Sequence, residues 1–593
     1  MQKEVLNFEN RTSVNGVLWT PRISDLKTVK TLSNNHNINP ILSKILVGRN
    51  IEDSDVENFL CPKVNNLISN PSEIIDVDKG IDILINSIGN DETIGVIGDY
   101  DVDGATSSSL LKIFFNHYKI NCEIYIPDRL KEGYGPNRIA FDQFLKLGIK
   151  TVITVDCGAT AKKEIDYAKN LGIQVIVIDH HKIDEELPDS IAHINPSRKE
   201  DFSKLEDLAA IGLTFLFIVA LRRALREENK YKNVQEPNLK NYLDIVALGT
   251  VCDVVQLKGL NRAFVKEGIK ILNKNMRKGI KGLCFVSQAK DIGVYELGYL
   301  LGPRINAAGR TGSPDLGVRL LTSVNDDEVS AISEKLNDLN KDRQNIEKNV
   351  LTEAIEKVED SIKQQNLNSP PVSLIVEKES WHLGVLGIVA SRLKEKYNRP
   401  SFVISTCQNQ STGSGRSIPG IDIGKIILDA VKAGIIVSGG GHSMAGGFNL
   451  EKEKLESFKE FCNEKILEVD QSILQKKTKY DDVLGSTDIN RDFYEIIDQA
   501  SPYGQGNSEP KFILSNIEIE FCQIVGKGHL KLKLSGRNFK NLDAIAFGSV
   551  GTPLGNLLSN HQGSQLHLAG AIRKNDWQGF KGVQFHVYDA FIA

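Results

Sequence analysis

Between positions 93 and 200 the chain alternates short apolar runs with helical stretches. The runs at 93–97, 122–126, 151–155 and 173–178 are rich in Val and Ile and lack polar alternation. Strands of that kind are buried on both faces, so the pattern predicts a parallel sheet covered by helices. Helices are expected at 105–118, 208–228 and 239–248. Ahead of this region, residues 1–90 are mixed and polar, with short helical patterns at 41–51 and 52–60.

From 323 to 369 there is no Gly or Pro, and Val329, Ile332, Leu336, Leu339, Ile346, Val350, Ile355, Val358 and Ile362 recur at near 3-4 spacing. One connecting helix of roughly 60 Å fits, at 1.5 Å per residue. Two antiparallel helices with a polar turn are the alternative. A coiled coil is disfavoured because Arg343 interrupts the stripe. Pro370 and Pro371 end the element. A second mixed segment follows, with strands at 372–376 and 400–405, a helix at 383–397, a glycine-rich stretch at 438–447 and a charged helix at 451–475. Beyond 510 come short strands with turns, at 511–514, 517–525, 530–534, 543–547, 565–572 and 583–591, the spacing of a small antiparallel barrel. The expected architecture is α/β in four parts: 1–322, a connecting helix at 323–369, a smaller α/β domain at 370–470, and a β-barrel at 471–593. A chain of 593 residues exceeds a single core, which agrees.

Composition narrows the class. Hydrophobic residues make up 41% and charged residues 25%, so a sizeable core is affordable. No apolar run approaches the ~20 residues of a membrane span, the first ten residues carry acids and no apolar leader, and the eight cysteines include no Cys-x-x-Cys pair. The expectation is a cytoplasmic protein without a membrane or zinc-ribbon role. The net charge of −4 announces no bulk polyanion binding, so any contact with nucleic acid must come from a local basic groove.

The chemistry lies where the apolar runs end. The first leads into Gly98-Asp99-Tyr100-Asp101-Val102-Asp103-Gly104, the third into Asp156-Cys157-Gly158 and the fourth into Asp179-His180-His181. In a parallel sheet the carboxyl ends of the strands share one edge, where ligands bind. Asp99, Asp101, Asp103, Asp156, Asp179, His180 and His181 should therefore converge. So many carboxylates raise one another's pKa unless cations offset them, and carboxylates with imidazole favour Mn²⁺ or Mg²⁺. Two such ions suit phosphoryl transfer. A calcium loop starting at Asp99 is excluded, because its twelfth position is Leu110 rather than Glu. Cys157 and Cys252, each beside an aspartate, read as small packed residues.

These segments resemble the first three motifs of the DHH phosphoesterases, and Gly249-Thr250-Val251-Cys252-Asp253-Val254-Val255 resembles the fourth. The stretches Gly302–Arg310, Trp381–Ala390, Gly413–Ser417, Gly439–Gly447 and Pro502–Asn507 narrow the resemblance to the RecJ-type nucleases of that family, over essentially the whole chain. The resemblance implies a parallel-sheet DHH domain, a long connecting helix, a DHH-associated domain and a C-terminal OB-fold. It implies 5′→3′ exonuclease action on single-stranded DNA, releasing mononucleotides, in recombination and repair, with two divalent cations. Asp101, Asp103, Asp156, His180 and Asp253 are then the expected metal ligands, Asp156 bridging. Asp99 and Asp179 orient them or bind weakly, and His181 contacts the scissile phosphate, as acid to the leaving oxygen. Arg129, Tyr134, Arg310, Ser414, Arg416 and His442 are expected to line the groove for the 5′ end. A helicase and a single-strand-binding protein are the protein partners in view, and a monomer is expected. One departure stands out: many DHH enzymes carry His four residues before the acid matching Asp101, where this chain has Ile97, leaving one metal site short of a ligand.

In the barrel, Lys527, His529, Lys531, Lys533, Arg537 and Lys540 form a basic stretch, and strand alternation puts Lys531 and Lys533 opposite Leu530, Leu532 and Leu534. Phe547, Trp577 and Phe580 are candidates for base stacking, with core packing the favoured reading. Two other classes remain open: a DHH hydrolase of short oligonucleotides or cyclic dinucleotides, which the added barrel opposes, and a binding module without chemistry, which the intact acids oppose.

Overall fold

A computed structural model describes residues 11–592 except 130, 184–185, 275, 311–312, 365–368, 485–488, 537–538, 562 and 577–581. The chain divides into two compact units. One comprises residues 25–340 and 495–509; the other comprises the N-terminal residues up to 24, 341–494 and 510–593. Two segments, the N-terminal residues and 495–509, lie in a different unit from their neighbours in sequence, both through tertiary contacts. Strand β1 (Leu18–Pro21) pairs in parallel with a strand 459 positions later, Leu18 opposite Lys477, and Trp19 Nε1 donates to buried Asp589 at 3.1 Å. The N-terminal segment is thus part of the barrel unit. Residues 495–509 instead belong to the sheet unit. There Arg262, 1% exposed, donates to the carbonyls of Ala500, Ser501 and Pro502, and its guanidinium lies 3.8 Å from the Phe59 ring.

The first unit is built on five parallel strands, β2 (Ile94–Gly98), β3 (Cys122–Tyr125), β4 (Thr151–Val155), β5 (Gln174–Ile178) and β6 (Ala192–Ile194), in the order β3-β2-β4-β5-β6. Alternation along the strands feeds two cores. Ile94, Val96, Ile153, Val155, Ile176 and Ile178 face one cluster, with helices Val77–Gly89, Val102–Tyr118 and Ala210–Glu227. Ile97, Val152, Val175 and Val177 face another, with Phe141 and Phe144 of helix Arg138–Lys146. Each such side chain, fully buried, contributes ~1.5–3 kcal/mol. Strand β6 is too short to have been legible as an apolar run.

The stretch from 323 to 369 contains one helix, Asp326–Gln364, of 39 residues. Its Val329, Ile332 and Leu336 pack in the first unit's core, while Val350, Ala354 and Val358 pack in the second. In the second unit β7 (Leu374–Glu379), β8 (Ser401–Cys407), β9 (Gln410–Arg416), β10 (Ser438–His442) and β11 (Ala445–Glu451) form a sheet ordered β10-β11-β9-β8-β7. The glycine-rich stretch is therefore a hairpin, with Gly440 opposite Gly447. Helix Leu455–Leu467 is shorter than the expected charged helix and buries Phe458, Cys462 and Ile466.

After β12 (Lys477–Tyr480) and β13 (Asp482–Leu484), strands β14 (Phe512–Val525), β15 (His529–Gly536), β16 (Phe539–Ala546), β17 (Gln565–Asn575) and β18 (Gly582–Ile592) close a five-stranded barrel. Closure comes from the β14–β17 pairing and from β16 lying parallel to β18. The expected strands at 511–514 and 517–525 are one long strand. Its register shifts between Leu514 and Ile517, where Asn516 sits at φ 53°, so a bulge bends the strand without ending it.

Candidate metal centre

Three strand ends and three helix ends converge in the first unit. Asp101 caps helix Val102–Tyr118, its Oδ1 accepting from the Asp103 and Gly104 amides at 2.9 and 3.1 Å. Gly104 is required there: a Cβ would lie 2.3 Å from the Asp99 carbonyl oxygen, so the helix could not start against the strand end. Asp103, 1% exposed, accepts from the amides of Ala210 and Ile211 at 2.7 and 2.9 Å, at the start of helix Ala210–Glu227. Its position between two helix N-termini suits an anion. Asp156 leaves β4 at φ 61°, in the left-handed region, which turns the chain sharply at the sheet edge. Asp253 follows helix Leu243–Cys252 directly. A carboxylate at that negative helix end is unfavourable without a nearby cation.

Asp179 is saturated with donors. Its Oδ1 accepts from the amides of His180 and His181 and from His181 Nδ1 at 2.7 Å, and its Oδ2 from the Ala159 amide at 2.9 Å. Burial alone would raise its pKa, but the His181 hydrogen bond and charge bring it down to about 2. The same bond outweighs burial at His181 and holds its imidazole at about 9. His180 moves the other way, to about 4, through burial and then the charge of His181. One histidine of the pair is thus a cation and its neighbour a neutral imidazole.

The remaining acids cannot all ionise by themselves. Burial, then neighbouring carboxylates, push Asp99, Asp156 and Asp253 well above the ordinary range and Asp103 to about 7. On the acids and imidazoles of this centre, four buried atoms lack a hydrogen-bond partner: Asp99 Oδ1, Asp156 Oδ1, His180 Nε2 and Asp253 Oδ2. His180 Nε2 lies 3.3 Å from Asp156 Oδ1 and 3.7 Å from Asp253 Oδ2. Orphaned buried donors and acceptors are costly, and here they are all lone-pair ligands aimed at common points. Three groups can each hold a divalent cation: Asp156, Asp179, His180 and His181; Asp103, His180 and Asp253; and Asp99, Asp101 and Asp156. The last contains no imidazole. Ile97, the departure seen in the sequence, is fully buried in the apolar cluster with Phe141 and Phe144.

Around this centre, the Tyr134 hydroxyl donates to the Asp156 carbonyl at 2.9 Å and lies 3.3 Å from His181 Nδ1, its ring half exposed. Arg129 is exposed, its guanidinium 5.1 Å from the Tyr100 ring. Arg310 ends the turn after helix Gly302–Ala308, where its amide donates to the Ala307 carbonyl. Two residues that the sequence pattern did not single out fix the histidines: Asn195 Nδ2 donates to the His181 carbonyl at 2.9 Å and Ser197 Oγ to that of His180 at 3.1 Å. Both follow β6, whose three residues, Ala192, His193 and Ile194, give no apolar run to mark them. Cys157 and Cys252 are thiols kept protonated by burial.

Ser414 and Arg416 lie in the second unit, on β9. Arg416 Nη1 donates to Ser414 Oγ at 3.1 Å. A Cβ on Gly387, in the first turn of helix Leu386–Tyr397, would lie 2.7 Å from Arg416 Nη2. Register puts Ala445 opposite both Arg416 and His442, so the three residues form one row across the sheet. A guanidinium at a helix N-terminus is a ready site for a phosphate. On the barrel, Lys531 is exposed, whereas Lys533 pairs with Asp543 at 2.9 Å. Phe547 is 57% exposed, between the rings of His529 and His586 at 5.2 Å each, so it is not a core residue. Arg537, Trp577 and Phe580 lie outside the described residues.

Acids and imidazole at the carboxyl edge of a parallel sheet, with a second α/β domain and a barrel, define a DHH-family phosphoesterase architecture. Residues 93–250 match the DHH family, N-terminal domain; 371–468 match the DHHA1 domain; and 480–589 match the RecJ OB domain. The chain is 34% identical to the single-stranded-DNA-specific exonuclease RecJ of Escherichia coli K12 over 86% of its own length and 89% of that protein's. It therefore belongs to the RecJ family. The fold matches Thermus thermophilus RecJ in complex with Mn²⁺, with a TM-score of 0.77 at 24% identity over 96% of this chain and 78% of that one. It also resembles an exonuclease RecJ bound to manganese, with a TM-score of 0.55 at 28% identity over 66% and 95% of the two chains.

Proposed function

We propose that this protein is an exonuclease specific for single-stranded DNA that hydrolyses phosphodiesters with two divalent cations, Mn²⁺ or Mg²⁺. The reading extends to 5′→3′ action with release of mononucleotides, in recombination and repair. The observation that carries it is the set of four orphaned buried atoms on Asp99, Asp156, His180 and Asp253. Family membership supports the substrate: the curated relatives are single-stranded-DNA-specific exonucleases. Manganese in the similar solved exonuclease supports the cation class.

Asp101, Asp103, Asp156, His180 and Asp253 would hold the cations, with Asp156 shared and Asp99 completing the group that lacks imidazole. Cations bound there supply Lewis-acid activation of water and neutralise charge at the phosphoryl group. Asp179 fixes the His181 ring through Nδ1. The His181 Nε2–H is then free to bind the scissile phosphate and to give its proton to the leaving oxygen. Arg129, Tyr134 and Arg310 bind phosphates near the centre; Ser414, Arg416 and His442 bind one in the DHHA1 domain. The barrel's Lys531 and Phe547 bind the strand by charge and stacking. Eight free cysteines fit a reducing, cytoplasmic setting. Among the described residues no helix is long and apolar enough to cross a membrane.

Digestion of single strands labelled at the 5′ or 3′ end, with Mn²⁺ or with EDTA, tests substrate, polarity and metal need together. Release of 5′ label as mononucleotide only with metal is expected. Preferential turnover of a dinucleotide over a long strand would contradict the reading.

A further inference from the structure

Residues Glu296–Leu301 form a π-helical turn. Such turns are rare and concentrate at functional sites. Leu297 and Leu301, with Val294 and Leu300 beside them, pack into the core that holds Leu248, Val251 and Leu257. The apolar demand of that core is therefore met on one side of the turn. On the other side Tyr295 and Tyr299 are 57% and 70% exposed, and their rings stack with centroids 5.2 Å apart at 22°. Each ring covers one face of the other and leaves its outer face to water.

The turn is seated directly on the helix that leads into Asp253. Cys252 Sγ donates to the Leu297 carbonyl at 3.4 Å. A Cβ on Gly298 would lie 3.4 Å from Val251 Cγ1, and one on Gly302 would lie 2.5 Å from Cys252 Sγ. The turn that carries the tyrosines is thus packed against the helix that ends at Asp253. Val254, next to Asp253, is 63% exposed at φ 62°. A β-branched residue in the left-handed region is strained by ~1–3 kcal/mol, a cost found mainly at functional sites.

We propose that Tyr295 and Tyr299 form a stacking platform for a base of the single strand held at the metal centre. The inference rests on the proposed function and deepens it by naming a base subsite. Two rings already stacked present a flat face onto which a nucleobase of any identity can add, as binding of single strands without sequence preference requires. The platform carries no charge, so its contribution differs in kind from that of the lysines and arginines: it changes affinity without changing the salt dependence.

The test uses the full chain with Tyr295→Ala, Tyr299→Ala and Tyr299→Phe. Oligothymidylates carrying 2-aminopurine at successive positions report stacking as quenching in EDTA, and steady-state kinetics in Mn²⁺ compare a 20-mer with a dinucleotide. One probe position should be quenched by the native protein and by Tyr299→Phe, and not by the alanine variants. The alanine variants should raise KM for the 20-mer by roughly 5- to 100-fold. Their kcat, their dinucleotide turnover and the slope of affinity against salt should stay unchanged. Three results would overturn the platform: unaltered quenching and KM, a parallel loss of dinucleotide turnover, or a fall in solution mass showing that the rings pack against a second copy. A native protein inert on every single strand would instead overturn the proposed function itself.

Discussion

The carboxyl edge of the parallel sheet and the outer face of the barrel carry opposite charge. At the sheet edge Asp103 and Asp156 are at most 2% exposed, and their charged neighbours are mainly further acids. On the barrel Lys531 and Phe547 face water. Buried acids cannot be held ionised without cations, so the sheet edge works as an all-or-none device that answers to metal and pH. Exposed cations and rings make graded, additive contacts that answer to salt and strand length. On the proposed function, chemistry and grip are separated onto elements whose failures look different.

The largest effect that tests this contrast is at the shared carboxylate. Asp156→Ala, or chelation of metal, should lower hydrolysis of single strands by at least about a thousandfold while circular dichroism shows the fold intact; full residual activity would remove the sheet edge from the reaction. Next in size is His181→Asn, expected to lower kcat by about 10²- to 10⁴-fold. The sign of its pH dependence follows from the raised pKa. The imidazolium persists above the ordinary 6.5 and is lost as pH rises through about 9, so the native rate should fall on that alkaline limb and the variant should lack it. Lys531→Ala and Phe547→Ala should each raise KM for a long strand by about tenfold and leave dinucleotide turnover unchanged. Lys531→Ala alone should also flatten the plot of log affinity against log salt, by about one unit. If barrel variants impaired dinucleotides as well, the division between chemistry and grip would fail. The smallest effect concerns Ile97: calorimetric titration with Mn²⁺ should show one tight and one weaker equivalent, whereas two tight equivalents would show that carboxylates alone complete the second site.

Much of the metal centre was legible because its acids follow strands buried on both faces, and a parallel sheet places such strand ends on one edge whatever lies between them. Asp253 was not legible by that route. It follows a helix, and only its resemblance to a family motif brought it in. Asn195 and Ser197 were missed because β6 has three residues and no pattern of its own. Phe547 was read toward the core because alternation cannot distinguish an aromatic ring that ends a strand outside the barrel from one that ends inside it.

By itself, the sequence determined the order of parts, a helical stretch between the two α/β domains and the gathering of the strand-end acids, since all three follow from local periodicity and from the geometry of parallel strands; that the stretch is one helix and not two was decided by the structure. Only the tertiary structure decided that β1 completes a pairing with residues 477–480, that 495–509 fastens to Arg262, and which nitrogen and oxygen atoms in the centre are left without partners. Those outcomes depend on contacts between positions hundreds of residues apart. No local pattern encodes them, because the free energy that selects them appears only when distant segments exclude water together.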